Sequence, residues 1–308
     1  MTMFRETRFE DYIENNNKLS LHPKLNKLYE TFPTSINDLK NIIFYGPKGV
    51  GKYTQALSTI KRYSPSSLKY EKKMSIALNK NTYYYKISDI HFEVDMSLLG
   101  CNSKMLWNEI YTQITDIILS KSGNTGIILC KHFHNIHSEL LESFYSYMQT
   151  TTYSSIKMKF IIITEELSFI PNNILNCCRI IRVPEPTKTL HNKCLNTKTT
   201  SVEHKQLERP HELICRNLLD CILNVEEYKF LELRDKLYDI LIYDLDITNC
   251  VWFILETLIE QNQIKHEHMS DVLIKTYTFF QYYNNNYRPI YHLESYVFYL
   301  IKKIYGFQ

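Results

Sequence analysis

The segment GPKGVGKYT, residues 46–54, constrains the fold of this chain more than any other feature. It has the GxxxxGK spacing of a phosphate-binding loop, in which glycines let backbone N–H groups point at a phosphate. The helix that follows such a loop adds partial positive charge, and Lys52 adds a full charge. Only 7 of the 308 residues are glycine and three of them fall here, which argues against the alternative, a strand-to-helix turn with incidental glycines.

The apolar run NIIFY leads into this loop and a helical pattern leads out of it, as the motif requires. We predict that nine residues bind the phosphates of a nucleotide: Gly46, Pro47, Lys48, Gly49, Val50, Gly51, Lys52, Tyr53 and Thr54. The motif places Ser or Thr after the lysine, as a magnesium ligand, but this chain has Tyr53. Thr54 comes one residue late and points about 100° away around the helix. We therefore expect nucleotide binding with weak or absent magnesium coordination.

The acids that a working ATPase needs are missing from their expected places. An Asp for magnesium and a Glu for the attacking water usually follow a buried strand. Here the strand GIILC places Cys130 and Lys131 at those positions. Four other acids lie nearby in the sequence: Glu139, Glu142, Glu165 and Glu166. The first two are about two helical turns away, and the last two are expected to be solvated or to cap a helix. We predict no catalytic residues and no hydrolysis by the chain alone.

Apolar runs alternate with helical patterns through the first half of the chain. The predicted strands are residues 41–45, 82–95, 126–130, 158–164 and 179–183, the second being a long strand or a hairpin. Most of these runs are continuously apolar, which is typical of strands buried on both faces. Strand and helix in alternation predict an α/β fold with a parallel sheet and helices on both of its faces.

The second half of the chain has helical periodicity throughout. A polar stretch rich in Thr, Lys and Asn separates it from the first half, so we predict a sheet domain over residues 1–187, a linker over 188–206 and a helical domain over 207–308. Five amphipathic helices in the last segment predict a bundle. Four aromatic residues are expected in its core rather than at a ligand site: Trp252, Phe253, Tyr277 and Phe280.

Composition excludes several classes of protein. No apolar run reaches the roughly 18 residues of a membrane helix, and the first thirty residues show no apolar core of a secretory signal, so we expect an intracellular protein without a membrane partner. The eight cysteines form no CxxC pair, and the spacing of His132, His134 and His137 does not fit a helical ligand pair. We predict no metal-ligating residues. A net charge of +3 permits a nucleic-acid partner without arguing for one.

Three motifs together resemble the AAA+ module of clamp-loader small subunits, the replication factor C family. They are the loop GPKGVGKYT, the strand region DIHFEVDMSLLG and the segment IPNNILNCCRIIRVPEP. The resemblance covers residues 36–187 well and extends more loosely to the helical half, which is similar to the family's collar domain. It is nearest to the subunit whose own ATPase has decayed, the counterpart of the bacterial delta-prime subunit. The chain is rich in Tyr, Asn, Ile and Lys, whose codons are AT-rich, and this usage indicates a large DNA virus as the source.

The chain departs from the family at two places. In the family a Ser-Arg-Cys triplet supplies an arginine finger to the neighbouring subunit's ATP. The corresponding residues here are Asn176, Cys177 and Cys178, so the arginine is absent, and Arg179 follows two residues late. The family has a small helical lid between its AAA+ module and its collar. In this chain only the short polar linker lies there, so we expect the lid to be lost or reduced. Both departures imply a subunit that neither hydrolyses ATP nor activates its neighbour.

The resemblance implies an accessory subunit of a DNA clamp loader, which helps to place a sliding clamp on primed DNA during replication. Its partners would be the other clamp-loader subunits in a pentamer, the sliding clamp and primed DNA, and its cofactor ATP or ADP. Its location would be the nucleus or a cytoplasmic viral factory. The alternatives are an active P-loop ATPase acting on nucleic acid and a free-standing interaction module. Five basic residues could face DNA, although a solvated surface is the simpler expectation: Lys61, Arg62, Lys69, Lys72 and Lys73.

Overall fold

The computed structural model describes residues 7–78, 81–121, 123–153, 156–187, 189–190, 210–226, 229–243, 245–283 and 288–306. The chain divides into two compact units, Met1–Thr200 and Ser201–Gln308.

Within the described residues of the first unit, seven strands form one sheet. They are β1 (Asn41–Tyr45), β2 (Lys72–Leu78), β3 (Asn81–Ile87), β4 (His91–Asp95), β5 (Thr125–Lys131), β6 (Lys157–Thr164) and β7 (Cys178–Arg182). The strand order is β2-β3-β4-β5-β6-β1-β7. The last five strands in this order run parallel, while β3 pairs antiparallel with both β2 and β4. All parallel strands therefore end at one edge of the sheet.

Two apolar layers cover the sheet because its central strands are apolar at almost every position. On β5, Ile127 and Leu129 face one layer while Ile128 and Cys130 face the other. Each layer is a cluster of buried side chains contributed by the sheet and the helices on that face. A continuous apolar run on a strand is therefore explained by burial on both sides.

The first unit also contains six helices in its described part. They are α1 (Phe9–Lys18), α2 (Pro23–Glu30), α3 (Lys52–Lys61), α4 (Ser103–Leu119), α5 (Ser138–Tyr153) and α6 (Asn172–Asn176). Leu57 and Ile60 of α3 pack with Phe9 of α1 in one layer, whereas Trp107 of α4 and Phe144 of α5 pack in the other. Helices therefore lie on both faces, as the alternating pattern predicts.

The second unit is helical over its described residues. Its helices are α7 (Pro210–Leu223), α8 (Phe230–Ile242), α9 (Ile247–Glu260), α10 (Met269–Tyr283) and α11 (Pro289–Tyr305). Buried apolar residues from all five helices form one core. The buried carboxylate of Glu294 on α11 is paired with the guanidinium of Arg234 on α8. Among the helices that the structure describes, none is long and apolar enough to cross a membrane.

The predicted α/β sheet followed by a helical region is confirmed. Two local predictions need correction. The edge strand β2, which pairs with β3, was not expected. The segment 82–95 forms the predicted hairpin, because β3 and β4 pair antiparallel. Trp252 and Tyr277 lie about half exposed, because the apolar face of their helices is taken up by Ile254, Leu258 and Phe280. The predicted linker 188–206 lies outside the described residues except for positions 189 and 190.

Candidate nucleotide-binding site

The predicted loop lies between the end of β1 at Tyr45 and the start of α3 at Lys52. Gly46 has φ of +152°, and a Cβ there would lie 2.2 Å from the carbonyl oxygen of Val183. Val183 is held in place because its N–H donates to the carbonyl oxygen of Tyr45 at 2.8 Å. Only glycine fits this position. Gly51, the N-cap of α3, has φ of +92°, which also favours glycine.

The ammonium group of Lys52 lies inside the loop. Its Nζ donates to the carbonyl oxygens of Gly46 and Pro47, each at 2.6 Å. The side chain is buried, so these carbonyls supply part of the solvation that water would give. The ring of His22 contacts the other side of the loop, with Nε2 2.6 Å from the carbonyl oxygen of Val50. Since a carbonyl only accepts, this nitrogen carries the proton and donates.

A cavity of about 350 Å³ opens beside the loop. Helix α1, the segment that follows it and the first turn of α3 line this cavity, with Tyr12, Asn16, His22, Gly51 and Thr54 among its walls. Thr54 therefore lines the cavity beside α1. The cavity adjoins the loop and mixes apolar with amide side chains, which suits the base or ribose of a nucleotide.

A partly buried cluster of three side chains occupies the region next to the loop where the metal ligands were expected. The phenol of Tyr53 donates to Glu93 Oε2 at 2.6 Å, and the ammonium of Lys131 donates to Glu93 Oε1 at 3.1 Å. The Lys131 ammonium also lies 4.6 Å from the centre of the Tyr53 ring. We call these residues the Tyr53–Glu93–Lys131 cluster. Burial, with a smaller effect of the Glu93 charge, raises the pKa of Tyr53, so its phenol stays protonated.

This cluster decides which groups the site can hold. Left-handed glycines, a helix N-terminus and a buried lysine fit a nucleotide's phosphates, so Gly46–Lys52 would hold them. Magnesium does not fit. The residue after Lys52 offers a phenol already bonded to a carboxylate, and a lysine cation packs against its ring. Cys130 stands where an aspartate ligand of magnesium would be expected. It is fully buried in the apolar layer that contains α4 and α5, and this burial raises the pKa of its thiol.

Sequence reasoning missed Glu93. It lies in the middle of the short strand β4, whose first four residues are buried, and only 7% of it is exposed. The signal was present, because an acid inside a buried strand needs a cation or a proton donor as a partner. Nothing in the spacing of the sequence indicated that Tyr53 and Lys131 would be those partners.

The other acids at this edge of the sheet are also paired within the chain. The ring of His132 bonds Asp95 at 3.0 Å, and His134 Nε2 lies 3.8 Å from Glu165 Oε1. Burial lowers the pKa of His134, and the charge of Glu165 opposes this change. The charge of Lys52 lowers the pKa further, so the ring of His134 lies within electrostatic reach of the loop. Glu165 therefore faces a histidine. The backbone carbonyl oxygen of His137, just before α5, accepts hydrogen bonds from the N–H groups of Leu140 and Leu141.

The residues at the predicted finger position span the junction from the end of α6 to the start of β7. Cys177 donates to the carbonyl oxygen of Ile174 at 3.1 Å, and its Sγ lies 3.9 Å from that of Cys178. The Cys178 thiol lowers the pKa of Cys177 to about 7. Arg179 donates to Thr31 Oγ1 at 3.3 Å and lies over the ring of Phe32. The guanidinium of Arg179 is thus engaged within its own chain.

The basic residues considered for DNA binding occupy two places. Arg62 at the end of α3 donates to the carbonyl oxygen of Tyr29. Lys72 and Lys73 lie exposed on the edge strand β2, where the Lys73 ammonium stands 5.0 Å from the centre of the Tyr84 ring. DNA contact by these residues stays a prediction.

No protein-family profile matches the chain. The chain is 23% identical over 202 residues to replication factor C subunit 5 of Saccharomyces cerevisiae, a match that covers 62% of this chain and 57% of that protein. It therefore spans little more than half of its relative.

Three solved structures resemble the chain at low similarity. Saccharomyces cerevisiae RIF2 has a TM-score of 0.39 at 15% identity and covers 71% of this chain and 76% of its own. A single-residue variant of Thermotoga maritima RuvB has a TM-score of 0.31 at 14% identity, with coverage of 59% and 49%. Caenorhabditis elegans PCH-2 has a TM-score of 0.36 at 12% identity, with coverage of 82% and 72%. We draw no functional conclusion from structures this distant.

Proposed function

We propose that this chain is a nucleotide-binding, hydrolysis-deficient subunit of a clamp loader of the replication factor C type, with an AAA+ sheet unit and a collar-like helical unit. The observation that carries this proposal is the division within the site. The loop keeps its glycines and its buried lysine, whereas Tyr53, Glu93 and Lys131 fill the place of the metal and the acids. The similarity to replication factor C subunit 5 supplies the assembly in which such a subunit would act.

Hydrolysis is absent in this proposal for a physical reason. The nucleophilic water needs a general base or an acid that positions it, and phosphoryl transfer needs a cation on the leaving phosphates. Glu93, the carboxylate of the cluster, has one oxygen bonded by a phenol and the other by an ammonium. Cys130 is buried away from solvent. The nucleotide would then be a structural ligand that fixes the loop against α1 and α3.

The helical unit supports a role in assembly. This unit contains about a third of the chain, yet it carries 15 of the 21 large apolar side chains that are exposed among the described residues. They include Leu231 and Ile242 on α8 and Ile274 and Tyr277 on α10, each more than half exposed. Exposed apolar faces of this extent are typical of surfaces that bind another protein. We assign them to sister subunits in the collar of a pentamer.

The remaining parts of the proposal follow from this assignment. The subunit helps to load a sliding clamp onto primed DNA, in the nucleus or in a cytoplasmic viral factory, and its source is a large DNA virus. With Cys177 at the finger position, it would not activate the neighbouring subunit. The short linker would replace the lid.

Two measurements test the proposal. Mass spectrometry of proteins that copurify with the native chain should identify sister AAA+ subunits, and Ile274→Asp should reduce this recovery by about tenfold while Glu256→Ser, also on an exposed helical surface, should not. Purified chain should bind ADP and show no steady-state ATP hydrolysis. Robust magnesium-dependent hydrolysis that disappears in Lys52→Ala would refute the assignment and favour an active P-loop ATPase.

A further inference from the structure

We infer that this chain binds its nucleotide as the metal-free polyphosphate, with Lys131 as a built-in cation in place of magnesium. The inference rests on the proposed nucleotide binding and specifies its chemistry. It comes from the Tyr53–Glu93–Lys131 cluster, which the sequence motif alone does not disclose.

The position of Tyr53 locates the cation. In a phosphate-binding loop, the hydroxyl of the residue after the lysine ligates magnesium, so the metal lies against that side chain. In this chain that side chain is Tyr53, and the cation lying against it is the ammonium of Lys131, 4.6 Å from the ring centre. A lysine from the end of β5, paired with Glu93 at 3.1 Å, thus places an ammonium group beside residue 53.

The charges around the cluster disfavour a second cation. A divalent ion beside residue 53 would stand close to the Lys131 ammonium, and the two would repel in a partly buried region of low dielectric. The divalent ion would also have to break the hydrogen bonds that Glu93 accepts. One of its carboxylate oxygens accepts from a phenol and the other from an ammonium group. Asp95 and Glu165, which lie at the same edge of the sheet, already face His132 and His134.

The chemical class of the ligand follows from the N–H groups and ammonium groups beside the loop. Backbone N–H groups at the start of α3 and the ammonium of Lys52 bind phosphate oxygens. The Lys131 ammonium gives one of its three N–H donors to Glu93, and its other donors can bind a phosphate oxygen in the place that magnesium takes in other sites. The site therefore fits a nucleoside diphosphate or triphosphate without its metal. Magnesium should compete with the protein for the free nucleotide and give no gain in affinity.

The experiment compares ADP binding by the full chain in excess magnesium chloride and in excess EDTA, measured by isothermal titration calorimetry. We expect dissociation constants that agree within about twofold, or are weaker in magnesium. Binding that is tightened about tenfold or more by magnesium would overturn the inference and leave the proposed function standing. Binding in neither buffer would refute the proposed nucleotide binding itself.

Variants assign the effect to Lys131. Lys131→Met should weaken ADP binding in EDTA by about tenfold, whereas Lys72→Met, which removes an exposed lysine from β2, should leave it unchanged. Lys131→Arg keeps the cation, so it should retain metal-free binding even if the methionine variant fails to fold. Unchanged affinity in a folded Lys131→Met chain would overturn the role of Lys131. The double variant Tyr53→Ser, Lys131→Asp removes the cluster and should make ADP binding depend on magnesium.

Discussion

The candidate site has a loop side, residues 46–52, and a metal side, the Tyr53–Glu93–Lys131 cluster. The two sides obey different constraints. On the loop side, residues 46–52 keep the backbone geometry that binds a phosphate, and the Gly46 position tolerates no side chain. On the metal side, the side chains of Tyr53, Glu93 and Lys131 satisfy one another in a partly buried polar cluster. The loop depends on its backbone shape, whereas the metal side depends on the pairing of three side chains.

Under the proposed function, this difference explains how a site can lose its chemistry and keep its ligand. Removing an acid alone would leave a cavity and unpaired charges, which are costly in a buried region. A large phenol and a lysine fill the volume and supply the hydrogen bonds and charge that Glu93 needs. The strand, loop and helix can then stay in place, and so can the binding of phosphate.

The loop side can be broken most severely at Gly46. Gly46→Ala places a Cβ against the carbonyl of Val183, a residue held by the hydrogen bond from its N–H to Tyr45, so the loop or the chain after β7 must move. We expect the free energy of unfolding to fall by about 3 kcal/mol or more and ADP binding to be lost. Urea denaturation and calorimetry provide the two measurements.

Gly49→Ala is the matched control. Its φ of +77° also disfavours a side chain, but no atom lies within 4 Å of the added Cβ. The expected loss is about 1 kcal/mol, from the backbone conformation alone. Equal losses for the two variants would show that the contact with Val183 does not decide the glycine at position 46.

Sequence patterns predicted the parts of this molecule that depend on local chemistry. The continuous apolar run of β5 needs burial on both faces and thus a parallel sheet with helices on each side. The helical period after residue 207 needs a shared apolar core, which α7 to α11 provide. In both cases the residues of one segment carry the information.

The parts that were missed depend on contacts between distant segments. Glu93 and Tyr53 are 40 residues apart, and Glu93 and Lys131 are 38 apart, so no local pattern connects them. The edge strand β2 has several polar residues that lie exposed, and it gave no clear strand signal. The exposure of Trp252 depends on which side of α9 faces the bundle, and its neighbours Val251 and Ile254 take the buried side.

Lowering the pH should reduce the free energy of unfolding through strand β4, which carries Glu93 of the metal side. His91 on this strand is fully buried, and burial lowers its pKa from 6.5 to about 3. Between those values the unfolded chain binds a proton that the folded chain does not, so the stability contributed by the neutral ring falls as pH decreases through this window. The expected loss at pH 5 is about 2 kcal/mol. His91→Gln should flatten the pH dependence of the free energy of unfolding; parallel curves for the two chains would contradict this explanation.

A smaller effect is expected from the phenol of Tyr53. Tyr53→Phe keeps the ring under Lys131 and removes one hydrogen bond to a buried carboxylate, which should cost about 1.5 kcal/mol of unfolding free energy. Tyr70→Phe is the control, because this tyrosine is half exposed, lies outside the cavity and has no hydrogen bond from its hydroxyl among the described residues, and the change should cost less than about 0.5 kcal/mol. Because the loop is untouched, ADP affinity should stay the same in both variants. A large loss of affinity in Tyr53→Phe would mean that the phenol itself contributes to nucleotide binding.

The smallest effect is expected at Arg179, where the comparison extends to the neighbouring subunit. If this chain has lost its chemical groups and kept its binding groups, Arg179 should act within its own chain, bonded to Thr31 and packed on Phe32, and not as a displaced arginine finger. Arg179→Ala should then lower the free energy of unfolding by less than about 1 kcal/mol, since an exposed cation–π contact contributes little. Steady-state ATP hydrolysis by the reconstituted complex should change by less than about twofold, because loss of a true finger costs about 10³-fold or more. A tenfold or greater drop in that rate would assign Arg179 to the neighbour's nucleotide, and this subunit would then have kept one chemical role after losing its own.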